Sequence, residues 1–66
     1  MIERSVVVSL QTYCKEADSV DAVYGYVHAL CDMRLMSEEE ATHFLDLYIW
    51  VGDGKVAWDY LEERVY

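Results

Sequence analysis

The run Ser37-Glu38-Glu39-Glu40 sets the start of a helix near the middle of this chain. A serine hydroxyl there accepts from the backbone N–H three residues on, and a glutamate at that third position reaches back to the serine N–H. Three carboxylates in one first turn also suit the positive end of the helix dipole. The helix then has a core stripe of Ala41, Phe44, Leu45 and Tyr48, and Gly52 or Gly54 can end it in the left-handed conformation.

The residues upstream leave room for two more helices. Ile2, Val6, Leu10, Tyr13 and Cys14 share one arc at 100° per residue, with Arg4, Gln11 and Lys15 opposite, which predicts a helix over about 2–15. The β-branched run Val6-Val7-Val8 argues mildly for a strand instead. Asp18 or Ser19 can cap a second helix, whose stripe of Val20, Val23, Tyr24, Val27, Leu30, Cys31 and Leu35 makes it the most buried element expected. A last helix is expected over about 55–65, with Trp58, Leu61 and Val65 inward and Asp59, Glu62 and Glu63 outward. The fold class is therefore all-α, a single acidic helical domain over residues 1–66 built as a bundle of three or four short helices. One pattern competes with this. Tyr48-Ile49-Trp50-Val51 and Val56-Ala57-Trp58 flank an Asp-Gly pair, as the strands of a hairpin would, so the alternative is an α+β fold with a C-terminal hairpin at about 46–60.

Charge restricts the surface. Thirteen acids against five bases give a net charge of −8, although 55% of the residues are hydrophobic. The acids concentrate after residue 36, where eight acids meet two bases. Direct nucleic-acid binding is excluded on this ground, because it depends on Lys and Arg displacing counterions from phosphates. The longest apolar run, Leu47 to Val51, is far below the roughly 20 residues of a membrane span. Met1-Ile2-Glu3-Arg4 does not lead into a secretory signal, and two cysteines do not make a disulfide scaffold, so a cytoplasmic location is expected. A core this small invites self-association.

Motifs for chemistry are weak. His28, Cys31 and His43 have the residue types of a metal set but no fourth ligand, and Cys14 and Cys31 fall too far apart along a helical hairpin to be joined. Glu38, Glu39 and Glu40 with Asp46 read as helix-start acids before they read as a cation site. Gly52-Asp53-Gly54-Lys55 places a carboxylate where a phosphate would bind, and no nucleophile has a base beside it. No cofactor and no enzymatic activity are expected.

Two surfaces carry the functional expectation. Glu39, His43, Asp46 and Trp50 fall within an arc of about 60° on the helix that starts at Ser37. Either another helix or a second subunit covers Trp50, or it is an aromatic anchor ringed by acids. Asp53, Asp59, Glu62 and Glu63 extend that acidic face, which is expected to dock on a basic surface of a partner protein. Such a partner could be a nucleic-acid-binding enzyme, with carboxylates standing where phosphates would. Very small acidic proteins of this composition are of a type that phages and mobile elements use as inhibitors or adaptors. The second surface is the strip Ala22, Gly25, Tyr26 and Ala29, where a second copy could pack closely, giving a structural or regulatory homo-oligomer as the alternative function. Tyrosines at stripe edges, Tyr26, Tyr60 and Tyr66, suit recognition in either case.

Overall fold

A computed structural model describes all 66 residues. Helices α1 (Arg4–Glu16), α2 (Val20–Asp32), α3 (Glu38–Leu45) and α4 (Gly54–Glu62) form a small bundle, and a π-helical segment, Asp46–Val51, continues α3. About 74% of the chain is helical and it has no strand. The hairpin alternative is thereby overturned, and the reason is local. Gly52 takes φ 77°, the left-handed conformation that closes the π-helical segment, and its N–H donates to the Leu47 carbonyl. The Asp53 carboxylate then accepts from the Val56 N–H at 3.2 Å and caps α4. The Asp-Gly pair serves a corner between helices, because the capping carboxylate satisfies a backbone donor that a hairpin ladder would otherwise have taken.

Helix starts follow their signals. The Ser37 hydroxyl accepts from the Glu40 N–H at 3.1 Å and the Glu40 carboxylate accepts from the Ser37 N–H at 3.0 Å, a complete capping box. Ser19 caps α2 by accepting from the Ala22 N–H. The run Val6-Val7-Val8 is helical: Val6 and Val7 are buried, and packing outweighs the few tenths of a kcal/mol by which β-branching disfavours helix.

Other boundaries differ from the periodicity. Ile2 lies before α1, where it pairs with Val65 in an isolated parallel bridge: its N–H donates to the Arg64 carbonyl at 2.9 Å. Its apolar side chain is fully buried all the same. At the other end α4 stops at Glu62, so Val65 packs from extended chain. The expected run of the second helix to Leu35 is cut at Asp32. Arg34 adopts φ 62°, the Leu35 N–H donates to Leu30 and the Arg34 N–H to Cys31, which together satisfy two carbonyls at the end of α2. Leu35 is consequently exposed, as are Val20 and Tyr24. Helix α2 is therefore not the most buried element, because only Val23, Val27 and Leu30 reach the core.

Phe44, fully buried, organises the second half of the molecule. Its ring centroid lies 5.3 Å from that of Tyr48 and 4.9 Å from that of Trp58, and Tyr48 meets Trp58 edge-on at 5.8 Å. Contacts of this geometry add about 0.5–1.5 kcal/mol each to area burial. They tie α3, the π-helical segment and α4 into one body. Across α1 and α2, Tyr13 and Tyr26 stack at 4.2 Å.

Candidate functional site

The outer face of α3 is a shallow polar concavity lined by Glu38, Glu39, Thr42, His43 and Asp46, with no apolar residue. Their 3.6-residue spacing puts Glu39, His43 and Asp46 together as expected. His43 is held in place by stacking on Tyr60 of α4, with centroids 4.3 Å apart and planes within 9°. The Arg64 guanidinium carbon lies 4.9 Å from the centroid of the same Tyr60 ring. Trp50 does not line this concavity. The α-helical wheel placed it in the arc of Glu39, His43 and Asp46, but rings closed over five residues turn the chain less per residue, so a side chain four positions after Asp46 falls short of that arc.

Trp50 is 81% exposed, so no helix of this chain covers it. Val51 beside it is 66% exposed, and Val56 in the first turn of α4 is exposed as well. Sequence reasoning singled out Trp50 without its two valine neighbours. The available signal was the glycine pair at 52 and 54, which places Val51 and Val56 on either side of one corner.

The remaining acids of the predicted face have individual surroundings. Asp53 caps α4 and stays exposed. Asp59 pairs with Lys55 at 3.4 Å, a surface contact between helix positions i and i+4. Arg4 Nη1 bonds both carboxylate oxygens of Glu62 at 2.7 Å, so Glu62 ties α4 to α1. Glu63 is exposed and has no cation partner. Three ion pairs engage Glu40, Glu62 and Asp59, and the other ten carboxylates have none. Between Arg34 and Lys55 the chain has five acids and no Lys or Arg.

Glu40 is the only buried charged residue, at 6% exposure. Burial alone would raise its pKa, yet bonds from Ser37 and from the Met1 ammonium at 3.2 Å, with the positive charge of that ammonium, hold it below the usual glutamate value. Cys14 and Tyr48 adjoin each other in a second concavity with Gln11, Lys15 and Trp58. Burial raises the pKa of the Cys14 thiol, partly offset by Tyr48, and burial together with Cys14 raises that of Tyr48. Both cysteines are free thiols. No group of three or more His, Cys, Asp or Glu side chains is placed to hold a metal ion.

On α2, Gly25 faces open space, with nothing within 4 Å of where a Cβ would sit, and Ala29 is exposed beside it. Ala22 is half-buried. Tyr26 is also half-buried, and it turns toward α1 to stack on Tyr13. Tyr24 and His28 form an exposed pair with centroids at 4.4 Å. No helix is long and apolar enough to cross a membrane. No protein-family model matches the chain, and no curated protein or solved structure is significantly similar to it.

Proposed function

We propose that this chain is a small acidic protein-binding module, an inhibitor or adaptor without catalytic activity of its own, that docks on a basic surface of a partner protein. The observation that carries the reading is the set of ten carboxylates with no cation partner, together with the base-free stretch between Arg34 and Lys55. Uncompensated charge on a rigid helical body sets up a field that steers a basic partner into place and rejects acidic ones. A partner surface that normally receives nucleic acid would fit, because carboxylates on helical turns then stand in for phosphates.

The test is kinetic. Once a partner has been recovered by pull-down, the association rate is measured from low to physiological salt for the wild type and for Glu39→Lys and Asp46→Lys. Both substitutions should slow association and flatten its salt dependence. Rates that stay the same with folded variants would remove the reading.

The α2 face supports a second reading, a homo-oligomer. A glycine in an exposed helix interior costs roughly 0.5–1 kcal/mol relative to alanine, and nothing within the monomer uses the space it leaves. Sedimentation of wild type and Gly25→Leu decides it. A second copy packed on that face would be displaced by the leucine, whereas the monomer has room for it.

A further inference from the structure

The corner formed by Trp50, Val51 and Val56 joins two properties that seldom occur together on a small monomer. Three apolar side chains are exposed at one turn, one of them a tryptophan, and the chain around them is predominantly acidic, with Asp46, Asp53 and Asp59 against the single base Lys55. Asp46 precedes Trp50 by four residues, and Asp53 follows it by three. The carboxylate of Asp53 accepts from the Val56 N–H. Resting on the proposed docking function, we infer that this corner is the anchor of the docking surface and that it enters an apolar cleft rimmed by Lys and Arg on the partner protein.

Charge selects that occupant. A second copy would bring the same acids to the same corner, and Lys55, the base nearest in sequence, is already paired with Asp59. An anionic leaflet would repel the corner rather than attract it. A basic protein surface satisfies both the rim and the apolar tip, and tryptophan is the residue type most enriched among interface hot spots. The mounting is also rigid. The π-helical segment carrying Trp50 is pinned from below by Tyr48 against Phe44 and Trp58, and Gly52 closes it in a left-handed turn. Little ordering is left for the moment of binding, which favours slow dissociation.

The experiment uses the full chain and a defined probe, an amphipathic peptide of Leu and Lys, which presents an apolar face bordered by amines. A peptide with Glu in place of Lys, anionic and zwitterionic vesicles, and dilution of the protein alone are run beside it. The difference in emission between wild type and Trp50→Phe isolates Trp50 from Trp58. Binding of the Leu/Lys peptide should shift Trp50 emission to the blue, and Trp50→Ala should weaken binding about thirtyfold. Since Trp50 is exposed, circular dichroism of Trp50→Ala should match the wild type. Equal affinity for wild type and Trp50→Ala overturns the inference, as does a comparable blue shift with the Leu/Glu peptide, with vesicles or on concentration alone. If Trp50→Ala binds like the wild type while Asp46→Lys binds weakly, the anchor is lost and the electrostatic reading stands. If neither substitution matters, both are lost.

Discussion

Replacing Arg34 by glycine should stabilise this protein, because the C-terminus of α2 is closed by an arginine in a conformation that suits glycine. At φ 62° the Cβ of an L-residue crowds the backbone, at a cost of about 1–2 kcal/mol. Glycine avoids that crowding but gives back roughly 0.4–1 kcal/mol through the greater freedom of the unfolded chain. The side chain offsets little of this, since Arg34 takes part in none of the ion pairs. The net gain is therefore about 0.5–1 kcal/mol. In a domain of this size that corresponds to a rise of roughly 2–8 °C in melting temperature. Thermal and urea unfolding followed at 222 nm measure it, with Arg34→Ala as control. Alanine keeps the crowding and removes only the guanidinium, so it should stay within about 0.5 kcal/mol of wild type. If glycine gives no more stability than alanine, the left-handed conformation is not what limits this helix end.

Glu40→Gln should cost about 1.5–3 kcal/mol at neutral pH, the scale of hydrogen bonds to a charged group. Because the native pKa of Glu40 is lowered, its contribution is complete above the ordinary glutamate value of about 4.3 and is lost as pH falls through the lower native value. Acid unfolding of Glu40→Gln should thus show a shallower pH dependence than wild type in that window. Phe44→Ala removes the ring shared by Tyr48 and Trp58 and should cost about 3–5 kcal/mol, comparable to the whole stability of a small domain, so its circular dichroism should be that of a largely unfolded chain. Gly25→Ala should add about 0.5–1 kcal/mol to monomer stability, read by urea unfolding at low concentration.

Signals written in adjacent residues translated well into structure. Ser37 with Glu40 and Ser19 act as caps because capping requires only a hydroxyl or carboxylate within three residues of a backbone donor. The core positions Leu10, Val27, Phe44 and Leu61 followed from helical period for the same reason. What a fixed period could not reveal were departures from it: the left-handed Arg34, the π-helical winding after Leu45, and the extended pairing of Ile2 with Val65. Each departure answers a tertiary demand. The winding keeps Tyr48 against Phe44 while Gly52 turns the corner, and no local pattern announces it. Of the candidate site, the grouping of Glu39, His43 and Asp46 was legible because all three sit on regular α-helix. The place of Trp50 was not, because its direction depends on turns that five-residue rings have widened. Likewise, the pairing of Glu62 with Arg4 joins residues 58 positions apart, beyond any local pattern.

The bridge between Ile2 and Val65 makes this chain nearly a ring. Bringing together points about 60 residues apart costs an entropy that grows as the logarithm of their separation, of order 3–4 kcal/mol before the constant term. That cost falls on every folding event, and it cannot be repaid until α4 and the turn after it have formed and the Arg64 carbonyl is available. A linear order of folding, first helix to last, would therefore leave α1 without its seal until the end. Covalent closure through a short linker, leaving no free ends, would transfer that entropy from the folding reaction to the synthesis of the chain. The same bundle would then close faster, while losing the bond from the Met1 ammonium to Glu40.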